Sequence, residues 1–149
     1  ELEIIQTMRP KSSRKGQGYG LSGEERKEVE TRAMFLVKGW LEDKGYRVKD
    51  TSSNRPYDFE ASKDGSTMKV EVKGTTSDSS DAILMTRNEV DLHQAEKGKT
   101  ALFIVSSIRL ERGSAGPSAT RGVIEAFLGW DIDKWELTST AYRVGRPTT

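Results

Sequence analysis

The chain has 149 residues, a formal net charge of +1, 34% hydrophobic and 32% charged residues, no cysteine and a single histidine, His93. That length suits one domain with a core of its own. The composition excludes disulfides, thiolate metal centres and a multi-histidine zinc site, no apolar run reaches a membrane span, and near-neutrality leaves any nucleic-acid affinity to local clusters of charge.

Residues 1–21 read as a basic, flexible N-terminal segment. Its Gly/Ser-rich part, Arg9 to Gly20, carries Arg14 and Lys15 and is either a solvated linker or an arm that touches phosphates. Ser22-Gly-Glu-Glu25 forms a capping box, and the spacing of Val29, Ala33, Leu36, Val37, Trp40 and Leu41 predicts a helix to about Lys44, stopped at Gly45. Glu30 lies at the edge of that apolar stripe. Tyr46 to Asp50 reads as a first strand, followed by a loop over residues 51–56.

Asp64-Gly65 sits between two runs of period-2 alternation, a strong signal for a two-residue hairpin turn. In that register Asp58 faces Glu71, and alternation puts Glu60, Lys69 and Lys73 on the same face. Phe59, Ala61, Met68, Val70 and Val72 make the opposite, core face. Like charges set opposite one another destabilise a sheet. The polar face is therefore either an ordinary solvated face or a place where Asp58 and Glu71 share a divalent cation such as Mg²⁺, which takes carboxylate oxygens, substrate phosphate and water.

Gly74 to Asp81 reads as a polar loop leaving the Lys73 end of the hairpin, well placed to meet a substrate, and Ala82 to Met85 as an extended lead-in. Thr86-Arg-Asn-Glu89 is a second capping box, opening a helix to about Lys97 with Gly98 as its stop. Within it His93 reads as a surface or partly packed residue rather than a catalytic base. Thr100 to Ser107 is the most apolar run and predicts a central strand covered on both faces, with Ile108 to Leu110 as a possible extension. Residues 114–120 read as a loop, Gly122 to Trp130 as a strand or a short helix, Asp131 to Leu137 as a tight connection with a buried Trp, and Thr140 to Val144 as a last edge strand.

The order helix, strand, hairpin with Asp58 and Glu71-Val-Lys73, helix, strand resembles the PD-(D/E)xK nuclease superfamily. More narrowly, Glu30-x-x-Ala33, Gly45-Tyr-Arg-Val-Lys-Asp50, Tyr57-Asp58, Val70-Glu-Val-Lys-Gly74 and Thr86-Arg-Asn-Glu89 resemble the NO VEIN C-terminal-like family, over roughly residues 23–110. Pro56 is separated from Asp58 by Tyr57, a departure from the superfamily pattern; the narrow family often has Gly at the position of Tyr57.

The resemblance implies an α/β fold with a restriction-endonuclease-like core: a mixed central sheet whose antiparallel hairpin carries the active site, flanked by helices, over residues 22–149. It implies a Mg²⁺-dependent endodeoxyribonuclease, with Mn²⁺ as a substitute, serving as the cleavage module of a restriction or defence-type enzyme. Asp58 and Glu71 would ligate the metal with the Val72 carbonyl, Lys73 would orient or deprotonate the attacking water, and Glu30 would hold water around the metal or a second metal. Arg87 and Asn88, at a helix N-terminus, would join Arg14 and Lys15 as nucleic-acid contacts. Double-stranded DNA is the expected partner, alongside a recognition domain in the same, longer polypeptide and a homodimer in the cytoplasm. The competing expectations are a non-catalytic nucleic-acid-binding or protein-interaction module of the same fold, and a nucleotide- or RNA-processing enzyme.

Overall fold

A computed structural model describes residues 20–148. Helix α1, Gly23–Asp43, begins at the Ser22/Glu25 capping box, each side chain bonding the other's backbone amide at 3.0–3.1 Å. It ends where Gly45 turns back at φ +90, a conformation glycine reaches without strain. Val29, Ala33, Val37 and Leu41 recur every fourth residue along its buried stripe.

Strands β1 (Arg47–Asp50), β2 (Phe59–Lys63) and β3 (Ser66–Gly74) form an antiparallel meander. The β2–β3 turn is Asp64-Gly65, with φ +52 and +79, and the ladder pairs Phe59 with Val70 and Glu60 with Lys69, the register expected from the alternation. A crossover through α2, Arg87–Ala95, leads to β4, Thr100–Ser106, which pairs in parallel with β3. Strand β7, Val123–Leu128, then pairs antiparallel with β4, completing a mixed five-stranded sheet in the order β1-β2-β3-β4-β7.

Helix α1 covers one face of this sheet. Its stripe packs on Phe59, Ala61, Val70, Val72, Ala101, Phe103 and Val105. The alternate residues Leu102 and Ile104 point the other way, into a smaller apolar cluster with Trp130, Ile132, Val90 and Met85. Helix α2 lies on that second face. β4 is thus covered on both sides, which its unbroken apolar run requires. Among the described residues no helix is long and apolar enough to cross a membrane.

Four expectations are corrected. Ser107 takes φ +55 and ends β4, so Ile108 to Leu110 do not prolong it; Arg109–Gly113 is instead β5 of a separate hairpin. Its partner β6, Gly116–Thr120, occupies the predicted loop at 114–120. Gly-Pro-Ser-Ala-Thr has low strand propensity, but cross-strand pairing with β5 overrides it, and a two-stranded ribbon tolerates Pro117 because each strand has a free edge. Residues 140–144 form no strand; Tyr142 and Val144 are 84% and 90% exposed, so no burial rewards ordering them in a ladder. His93, expected at or near the surface, is fully buried.

Candidate active site

The polar face of the β2–β3 hairpin is the face that α2 covers, so its charges are interior. Glu71 is 1% exposed, Lys73 2%, Glu89 6% and Asp58 8%. Buried ionisable groups need partners, and here each has one. Lys73 Nζ lies 3.3 Å from Glu71 Oε1 and donates to Glu89 Oε2 at 2.9 Å. Asp58 Oδ2 accepts the Val72 backbone N–H at 2.7 Å. The regular ladder stops at Phe59: the Asp58 amide goes to the Val70 carbonyl and its own carbonyl to the Thr51 amide. The Asp58 carboxylate therefore takes over a backbone acceptor's work at the mouth of the hairpin.

Electrostatics sharpen the picture. Burial, followed by the neighbouring Asp58 charge, pushes the Glu71 carboxyl up to about 9. Burial likewise raises Asp58, against the lowering effect of the Val72 N–H. For Lys73, burial pulls its pKa down, but Glu71, Glu89 and the hydrogen bond to Glu89 outweigh that and hold the ammonium charged. Among the described residues Glu71 Oε2 is buried with no hydrogen-bond partner. An orphaned carboxylate oxygen beside a second carboxylate suits a hard divalent cation, which takes one or two carboxylates and completes its shell with carbonyl, water and phosphate oxygens. Among the described residues no three His, Asp or Glu side chains converge as a ready-made metal cage. The donor set at hand is two carboxylates and a backbone carbonyl.

Glu89 is the residue that sequence reasoning missed as a site component, having read it only as a capping partner. Its Oε2 accepts both the Thr86 amide at 3.2 Å and Lys73 Nζ, so the capping box that starts α2 also aims the carboxylate. The available signal was a polar stripe at helical spacing. Glu89, His93 and Glu96 lie on one face of α2 and meet the sheet in three rungs: Glu89 with Lys73, His93 Nδ1 with Thr100 Oγ1 at 2.7 Å, and Glu96 with Lys69 at 2.6 Å. Trp130 Nε1 also donates to His93 Nδ1 at 3.1 Å, which makes that nitrogen an acceptor and places the proton on Nε2. Burial drives His93 down to about 4, so the ring is neutral and packs as a structural group.

The other candidates are more scattered. Glu60 accepts the Tyr57 hydroxyl at 2.8 Å. Glu30 is half-buried on α1, whose stripe packs on the opposite face of the sheet, and among the described residues no hydrogen bond or ion pair joins it to Asp58, Glu71 or Lys73. Arg87 and Asn88 are exposed at the start of α2, with Arg87 in a solvent-facing pair with Asp91. Arg14 and Lys15 lie outside the described residues.

Residues 29–115 match the family described as Protein NO VEIN, C-terminal. The chain belongs to that family. The NO VEIN C-terminal match runs from α1 to just beyond β5, and Asp58, Glu71, Lys73, Glu89 and His93 all fall inside it. No curated protein and no solved structure matches the chain.

Proposed function

We propose that this protein is a PD-(D/E)xK-type nuclease domain with a restriction-endonuclease-like core, hydrolysing DNA phosphodiester bonds with Mg²⁺. The observation that carries the reading is the buried pair Asp58 and Glu71 beside Lys73, with one Glu71 oxygen left without a hydrogen-bond partner among the described residues. Asp58, Glu71 and the Val72 carbonyl would hold the cation. A cation held by these residues would supply charge neutralisation at the phosphate and a lowered pKa for a coordinated water. Lys73, kept charged by Glu71 and Glu89, orients the attacking water and offsets phosphate charge. Glu89 positions Lys73 and is not itself a metal ligand in this reading. Glu30 remains a proposed outer contact, and Arg87 and Asn88 proposed phosphate contacts. Duplex DNA as substrate, a recognition domain in the same polypeptide, dimerisation and a cytoplasmic site belong to the same proposal.

A second reading, a non-catalytic nucleic-acid-binding module, draws on the structural engagement of the same carboxylates: Asp58 closes the hairpin through Val72 and Glu71 leans on Lys73. Cleavage of supercoiled plasmid with Mg²⁺ and then Mn²⁺, wild type beside Lys73→Ala, tests the choice. Cleavage that vanishes in Lys73→Ala supports the nuclease. Equal cleavage by both rejects this site. No cleavage, together with no thermal stabilisation by either cation, favours the binding module.

A further inference from the structure

A cavity of about 620 Å³, whose lining includes neither Asp58 nor Glu71, is walled by Thr76, Asp78, Ser107, Arg109, Arg112 and Arg121 among others. Two more arginines border it through the backbone. Arg26 Nε donates to the Leu21 carbonyl at 3.2 Å and Arg32 Nε to the Arg121 carbonyl at 2.9 Å, and Leu21 and Arg121 both line the space. Three of the twelve arginines in the chain thus line one hollow, and two more bond to the backbone of its lining residues, in a protein whose net charge is only +1. Glu25 pairs with Arg112, and a second acid, Asp78, lines the cavity and accepts the Ser107 hydroxyl at 3.0 Å. Among the described residues no ion pair engages Arg26, Arg32, Arg109 or Arg121.

The walls are held in unusual backbone shapes. Ser107 and Arg121 have φ +55 and +59, and at Gly122, φ +129, a Cβ would stand 2.6 Å from Leu36 Cδ1. Left-handed residues grouped around one hollow point to a function for it. Its position fits as well. Thr76 follows Lys73 by way of Gly74 and Thr75, and Thr75 is stitched to Val105 and Ile108, so cavity and carboxylates share the carboxyl end of β3 and β4. A guanidinium fork matches the geometry of phosphate oxygens, and several spaced along a hollow suit a run of phosphodiesters.

We propose that the arginine-lined cavity binds backbone phosphates of a nucleic-acid strand and holds that strand across the sheet end that carries Asp58, Glu71 and Lys73. This rests on the nuclease reading above. Arg109 and Arg121 are the cavity-lining contacts, and specificity for bases is not expected from them.

The test is binding of a labelled random-sequence duplex in EDTA, followed by anisotropy across a salt series, with plasmid cleavage in Mg²⁺ measured alongside. Wild type, Arg109→Gln/Arg121→Gln, Arg109→Lys/Arg121→Lys and Lys73→Ala are compared. The Gln double variant should bind about tenfold or more weakly at low salt, with the slope of log K against log salt shallower by about 0.9 for each phosphate no longer neutralised. The Lys double variant should keep that slope, and Lys73→Ala should lose plasmid cleavage. Both arginines are exposed, so the variants should fold, and unchanged melting temperatures verify this. Wild-type affinity and slope in the Gln double variant would overturn the cavity's role while leaving cleavage intact. Binding that depends on the arginines in a protein that never cleaves and takes no Mg²⁺ supports the cavity and sinks the nuclease. Failure of wild type to bind any duplex overturns the cavity's role outright.

Discussion

The two faces of the central sheet are covered by helices that dock in different ways. On the α1 face, Val29, Ala33, Val37 and Leu41 meet Phe59, Val72, Phe103 and Val105 with no charged group among the buried residues. On the α2 face a small apolar cluster around Leu102 and Ile104 is joined by three polar rungs and a buried set of charges. Apolar burial stabilises by about 1.5–3 kcal/mol per large side chain, whereas buried ion pairs roughly break even against their desolvation. The first face explains why the domain folds. The second holds charges in a fixed arrangement that folding alone does not require, which is where chemistry is to be sought.

The largest effect that separates the faces should come from Phe103→Ala. Phe103 is fully buried and meets Trp40 edge-on at 5.1 Å between ring centroids, so its loss should cost about 3–5 kcal/mol by denaturant unfolding, with no change in how the melting temperature responds to Mg²⁺.

On the α2 face, Glu89→Ala removes the acceptor of the Lys73 ammonium and the reciprocal cap of α2. Truncating one member of a buried charged set should cost roughly 3–5 kcal/mol, and under the proposed function it should lower the cleavage rate as well. Glu89→Gln, which keeps the shape and an acceptor oxygen, should recover most of the stability and less of the rate. Equal recovery of both would assign Glu89 a purely structural part.

Stability against pH probes the same face. The carboxyl of Glu71 titrates near 4.5 when unfolded and at about 9 when folded. The folded state therefore binds the extra proton between those values, and the metal-free protein should lose stability as pH rises from about 4.5 through about 9. His93 runs the other way at lower pH: with its pKa lowered from 6.5 to about 4, stability falls as pH drops through that window. Melting temperature should thus peak in mildly acidic buffer, and Glu71→Gln should flatten the alkaline limb. Because a cation must displace the Glu71 proton, stabilisation by Mg²⁺ should grow with pH over the same limb.

Asp58→Asn is expected to act more gently. The Asn oxygen can still accept the Val72 N–H, while the charge beside Glu71 is gone, so the metal-free melting temperature should rise by roughly 2–4 °C and the response to Mg²⁺ should disappear. A retained metal response would move the cation away from Asp58. Smallest of all, Arg87→Ala breaks an exposed pair with Asp91 and should shift stability by less than about 0.5 kcal/mol.

Legibility in the sequence followed the range of the forces involved. Both capping boxes, the Asp64-Gly65 turn and the register that brings Asp58, Glu71 and Lys73 together were readable, because each rests on residues a few positions apart or on strict alternation. The β6 strand was not readable: Gly116-Pro117 carries turn chemistry, and only pairing with β5 makes the segment extended. Tyr142 and Val144 alternate as a strand would, yet among the described residues no strand pairs with them.

The sequence by itself determined the α1 stripe, the hairpin and the sharing of one strand face by an acid, an acid and a lysine, since periodicity and turn geometry are local properties of the chain. That this face is interior follows from long-range packing. The crossover from β3 to β4 lays α2 over it, removes Glu71 and Lys73 from water, and brings in Glu89 as the partner that keeps Lys73 charged. The same long-range packing draws arginines from β5 and the β6–β7 junction around one cavity, a concentration of charge that a nearly neutral composition conceals.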